Sequence, residues 1–125
     1  MDNHRLRPRA TAVVVRNGKV LLARNRGQRL FALPGGGIRN GESVEAAAAR
    51  ELYKELRLES VRIERLPHWD YEGSANRHHV CLVHANGEPV RRRLELSGLK
   101  WWDMKEPVPV FRHVTAILSK IWHMR

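Results

Sequence analysis

The apolar positions of this chain repeat with two periods. A β-branched run from Ala10 to Val15 predicts a strand, Asn17-Gly18 predicts a tight hairpin turn, and Lys19 to Ala23 predicts the returning strand. Arg24 to Arg29 reads as a basic loop, and Leu30 to Leu33 as a short apolar strand ended by Pro34 and three glycines. Further strands are expected over Val61 to Leu66, Trp69 to Tyr71, His79 to His84 and Leu99 to Trp102, with a second hairpin turn at Asn86-Gly87. The spacing changes to three and four in two places. Ser43 is a plausible N-cap with Glu45 in the first turn, where it suits the helix dipole, and that helix runs to about Leu56. Phe111 to His123 forms the other, with Val114, Ile117, Leu118 and Ile121 on one stripe. Residues 1–9 are polar and basic and read as a frayed lead-in. A strand-rich order with two helices predicts an α/β fold, a sheet covered by helices, in a single domain over residues 1–125.

Charge narrows the partners. The chain has 23 Lys and Arg against 13 Asp and Glu, a net charge of +10, which attracts polyanions such as nucleotides, RNA or DNA. The basic residues are scattered, apart from Arg91-Arg92-Arg93 and Arg5, Arg7 and Arg9, and no aromatic–basic interleaving marks a single-strand stacking platform. No apolar run is long enough to cross a membrane and no signal peptide opens the sequence, so no membrane partner and a cytoplasmic location are expected. Cys81 is the lone cysteine, which rules out an intrachain disulfide and reads as a small apolar strand residue.

The chemistry concentrates between Gly36 and Leu58, where a glycine-rich turn feeds a helix. Glu51 and Glu55 are four apart and share one helix face. Their repulsion reverses sign if a divalent cation lies between them, and oxygen-only ligands suit magnesium or manganese. Leu52 and Leu56 lie on the adjoining arc and would bury the helix against the sheet, while Gly35, Gly36 and Gly37 let the backbone approach a ligand closely.

This segment resembles the signature of the Nudix hydrolase family, the MutT-like pyrophosphohydrolases. Gly36 is followed after five residues by Glu42, and Glu42 after seven by Arg50-Glu51-Leu52-Tyr53-Lys54-Glu55-Leu56-Arg57-Leu58. Every fixed position matches except Lys54, where the family has glutamate, and Arg57, where it has glycine. Phe31 to Gly36 resembles the family's strand leading into the loop, and Leu99 to Trp102 its late strand. The resemblance implies an α/β/α sandwich around a mixed sheet. It also implies Mg2+-dependent hydrolysis of the diphosphate linkage in a nucleotide-type substrate, with Mn2+ as a substitute. Carried over by position, Glu51 and Glu55 match metal-coordinating and catalytic residues, and Glu42 and Arg50 match residues that brace the loop against the helix. Gly36 and Gly37 would line the metal and phosphate site. The family often adds an acidic ligand from a later loop, for which Glu95 is the candidate and Glu88 the second choice.

The departures set two readings against each other. Lys54 either pairs with Glu51 and blunts catalysis or contacts the substrate phosphate in place of one ion of a cluster. Arg57 would adopt a left-handed conformation at the helix end, a tolerable strain. Arg24, with Arg26 and Arg29, is a candidate phosphate grip. Tyr71 or the outer ring of the Trp101-Trp102 pair is a candidate base stacker, and His78 or His79 points toward the site. The alternative to a hydrolase is a degenerate Nudix domain that binds nucleotide or nucleic acid without turnover. Monomer and homodimer both stay open.

Overall fold

The structure, a computed structural model, describes residues 5–90 and 96–122. In chain order the elements are β1 (Arg7–Arg16), β2 (Lys19–Asn25), β3 (Gly35–Gly37), α1 (Val44–Leu56), β4 (Glu59–Arg65), a 3-10 turn (Pro67–Trp69), β5 (Tyr71–Glu72), β6 (Asn76–Asn86), β7 (Leu96–Trp102) and α2 (Arg112–Trp122). The strands form a mixed sheet ordered β4-β6-β1-β2-β7, with β3 paired to β1 and β5 to β6. Among the described strand pairs, β1–β6 is parallel and the others are antiparallel.

β1 explains its own apolar run. It is covered on both faces, so Ala10 to Val14 are all fully buried, as expected of a central strand with a parallel neighbour. Ala10, Ala12 and Val14 face α1, where Ala47, Ala48, Leu52 and Leu56 complete one core. Val13 faces the other way, where Val114, Ile117, Leu118 and Ile121 of α2 close a second core with Leu22, Leu33 and Val80. The sheet thus lies between the two helices, the α/β/α sandwich expected. Small side chains meet across the first interface, Ala10 and Ala12 against Ala47 and Ala48, which lets α1 approach the sheet closely.

Local signals set the element ends. Asn17 and Gly18 both have positive φ, 53° and 75°, the primed hairpin turn that joins β1 to β2. The Ser43 side chain accepts from the Ala46 amide at 3.0 Å and caps α1. Arg57 ends the helix at φ 60° in the left-handed region, with its amide donating to the carbonyls of Leu52 and Tyr53.

Four expectations are corrected. Residues 7–9 are no lead-in: they extend β1, paired to β6 on one side and, at Arg9, to β3 on the other. Leu30 to Leu33 carries only isolated bridges, Ala23 to Ala32 and Phe31 to Val110, because the strand that pairs with β1 is the glycine triplet itself. Trp69 to Tyr71 divides into the end of the 3-10 turn, where Pro67 cannot donate to a ladder, and the start of β5. Asn86-Gly87 ends β6 but joins no hairpin among the described residues, where β6 and β7 are separated in the sheet by β1 and β2.

Candidate active site

The glycine triplet is where the site begins. β3 runs antiparallel to β1, with Gly37 opposite Arg9, Gly36 opposite Ala10 and Gly35 opposite Thr11. Gly35 has φ 146°, and a Cβ there would fall 1.9 Å from the carbonyl oxygen of Ala10. At Gly36 a Cβ would lie 2.4 Å from the carboxyl carbon of Glu51. Both positions therefore need glycine: one for its backbone, the other because a carboxylate occupies the space a side chain would fill.

Glu51 is a buried carboxylate, 6% exposed. Its Oε2 accepts from Arg50 and lies 4.0 Å from the Lys54 ammonium, while Oε1 rests against Gly36. Arg50 organises the surroundings. Its Nε and Nη2 donate to the two oxygens of Glu42 at 2.8 and 2.9 Å, and Nη2 also donates to the carbonyl of Gly37 at 2.9 Å. Glu42 accepts in turn from the Arg39 amide at 2.9 Å. One guanidinium therefore ties the loop, the glycine strand and the helix together. The hydrogen bonds from Arg50, then from the Arg39 amide, hold the Glu42 carboxyl down at about 2, and Glu42 chiefly raises Arg50 above its usual value. The bracing role expected of Glu42 and Arg50 has this geometry.

Glu55 follows one turn after Glu51 on α1. Lys54 is half exposed, with its ammonium on the side of Glu51. Among the described residues no three His, Cys, Asp or Glu side chains gather into a ready cation cage. Two carboxylates on one face still suit magnesium, which is commonly held by one or two carboxylates together with water and substrate phosphates. Glu95 lies outside the described residues. Glu88 is nearly fully exposed and pairs with Arg16 at 3.6 Å. Arg16 is seven residues along β1 from Arg9, roughly 23 Å away, so Glu88 belongs to the other end of the strand. Arg24 is engaged: Nε donates to Ser97 Oγ at 3.1 Å, and its guanidinium lies over the Phe31 ring at 4.8 Å and against Gly98.

A cavity of about 560 Å3 opens on the α2 side of the sheet, lined among others by Arg9, Asn25, Tyr71, His78, Phe111 and His113. His78 is the histidine of the pair that faces it. Its Nδ1 is 2.7 Å from Thr11 Oγ1, and its ring stacks on His113 at 4.2 Å. His113 Nε2 accepts from the Leu33 amide at 3.3 Å, which places the proton of the neutral ring on Nδ1. Burial, reinforced by the neighbouring Arg9, pushes His78 down to about 4, and burial with its neighbours His78 and Arg9 pushes His113 down to about 3. The pair is therefore neutral near pH 7. His79 turns to the other face and pairs with Asp70 at 3.2 Å. Tyr71 reaches the cavity wall, whereas Trp102 is buried and donates to the Glu106 carbonyl. Sequence reasoning missed Arg9, Phe111 and His113 as site residues. For Arg9 the available signal was its alternation with Thr11 next to the apolar run. For the other two it was their place at the start of an amphipathic helix.

Known proteins share this fold. The NUDIX domain family profile matches residues 6–118. An RNA pyrophosphohydrolase of Photorhabdus laumondii is 33% identical over 132 aligned positions, covering 86% of this chain and 75% of that protein. A Chromobacterium violaceum protein assigned to the nudix hydrolase family superposes with a TM-score of 0.83 at 27% identity, over 100% of this chain and 81% of that one. A MutT NUDIX hydrolase from Burkholderia pseudomallei shares the fold, with a TM-score of 0.75 at 24% identity over 94% of this chain and 99% of that one. With the glycine strand, the braced carboxylate helix and these relatives together, the chain belongs to the NUDIX domain family and is a Nudix hydrolase.

Proposed function

We propose that this chain cleaves the diphosphate linkage of a nucleoside diphosphate derivative or nucleotide, using Mg2+ or Mn2+ held by Glu51 and Glu55. The observation that carries the reading is the Glu51 carboxylate set against Gly36 and braced by Arg50, with Glu55 one turn on. A cation held by these carboxylates would supply a more acidic water and neutralise charge on the phosphate. The protein's own groups do the rest: Arg50 and Glu42 fix the loop, Gly36 and Gly37 admit the phosphate chain, and the cavity by His78 and His113 receives the nucleoside. The +10 charge and the name of the Photorhabdus relative support extending the substrate to phosphate chains carried by RNA. The same reading sets its work among cytoplasmic nucleotides. A second reading, binding without turnover, is favoured by one contact, the Lys54 ammonium beside Glu51.

The test is phosphate release from a panel of nucleoside diphosphate derivatives, triphosphates and 5′-phosphorylated RNA, with and without Mg2+ or Mn2+. We expect metal-dependent turnover that falls about a hundredfold or more in Glu55→Gln. Retained nucleotide binding with no turnover on any compound, in folded wild type, would move the assignment to the second reading.

A further inference from the structure

Arg9 is a cation that its own fold leaves incompletely used. Its Nη2 donates to the carbonyl of Leu33 at 3.0 Å, and its Nε is buried with no hydrogen-bond partner. No ion pair involves it among the described residues. Native structures rarely bury a charged donor unpaired unless another group completes it.

Its position says what that group is. Arg9 sits opposite Gly37 in the β1–β3 pairing, one residue from the Gly36 that underlies Glu51. Glu55 and Glu51 both lie within its electrostatic reach. The same side chain lines the cavity beside His78 and His113. Arg9 thus lines the cavity while it feels the carboxylates of the helix, and the strand it faces is glycine. A nucleotide with its nucleoside in the cavity and its phosphates at Glu51 and Glu55 has to pass this guanidinium.

We propose that Arg9 contacts the substrate directly, its Nε–H donating to an oxygen of the diphosphate that bridges the cavity and the carboxylates. This rests on the reading of the site as a diphosphate site. Where Lys54 takes the place of a family carboxylate, the site offers fewer anionic ligands for cations, and a fixed guanidinium supplies positive charge without one. Arginine suits the task because its planar fork stays charged even when partly desolvated.

The experiment is calorimetric binding of α,β-methylene-ADP and of adenosine to wild type and Arg9→Gln, in EDTA so that no cation contributes. The wild type is expected to prefer the diphosphate, and Arg9→Gln to lose about ten- to a hundredfold of that affinity with adenosine binding unchanged. An unaltered diphosphate preference in the variant, or an equal loss for both ligands, overturns the proposal. Should Arg9→Gln fail to fold, the Arg9 Nε–H resonance of the wild type decides: it should shift on adding α,β-methylene-ADP and stay in place with adenosine, and no shift overturns the assignment. Neither arm needs turnover. An inactive wild type with Arg9-dependent diphosphate binding sinks the hydrolase reading alone, and an active one indifferent to Arg9→Gln sinks this inference alone.

Discussion

Lys54 sets the charge balance of the helix face. Glu42, Glu51 and Glu55 bring three carboxylates to the loop and helix, and Arg50, Lys54 and Arg9 bring three cations. A divalent ion entering such a neighbourhood meets a smaller net attraction than it would beside glutamate at position 54. Lys54→Glu reverses one charge within a turn of the candidate ligands. The change from +1 to −1 is two unit charges, each worth about 1 kcal/mol near the surface, so Mn2+ should bind about thirtyfold tighter in the variant. Titration followed by the paramagnetic resonance of free Mn2+ would read this, and unchanged affinity would mean that Lys54 lies too far into solvent to matter. The spacing of Gly36, Glu42, Arg50, Glu51 and Glu55 was legible in the sequence because helix periodicity and glycine's lack of a side chain are local properties. Alternation with Thr11 could put Arg9 on a strand face, but nothing within its own segment says that a glycine strand will lie beside it.

At the scale of the element, α1 is well specified except at its end. Ser43 caps it, Glu45 suits the positive end of its dipole, and its alanines and leucines are buried against β1. Arg57 then takes φ 60°, a region that disfavours side chains bearing a Cβ, while its guanidinium lies over the Tyr53 ring at 4.8 Å. Removing the strain outweighs losing an exposed cation–π contact of about 0.5 kcal/mol. Arg57→Gly is therefore expected to stabilise the fold by about 0.5–1 kcal/mol, measured by urea unfolding, with metal binding unaltered. A loss of stability would mean that the ring contact dominates. The helix and its cap could be read from residues 43–58 because both depend on near neighbours. The strand at Leu30 to Leu33 was misplaced because apolar content marks burial, not pairing, and Phe31 and Leu33 are buried by packing near α2.

For the molecule as a whole, the buried imidazoles couple stability to pH. His78 sits near 4 and His113 near 3 in the fold, against about 6.5 in an unfolded chain. Between those values the unfolded chain binds more protons, so stability is full above about pH 6.5 and falls as pH drops. Each imidazole should remove up to about 2 kcal/mol between pH 6.5 and 5. Urea unfolding at pH 7.5 and pH 5 should show that loss, and His113→Phe should make it about half as steep. An unchanged slope would mean that the two rings do not titrate with folding. Their stacking is a product of assembly, since His78 comes from β6 and His113 from the start of α2. The sequence by itself determined the family signature, the capped carboxylate helix, the strand at the β-branched run from Ala10 and a sheet covered by helices, because each follows from periodicity and residue type over short stretches. Only the tertiary structure decided that the glycine triplet is a strand, that Arg9 lies opposite Gly37 and lines the cavity, and that two histidines form one wall. Those facts depend on the register between segments distant in the chain, which many-body packing of the two cores fixes and no local pattern encodes.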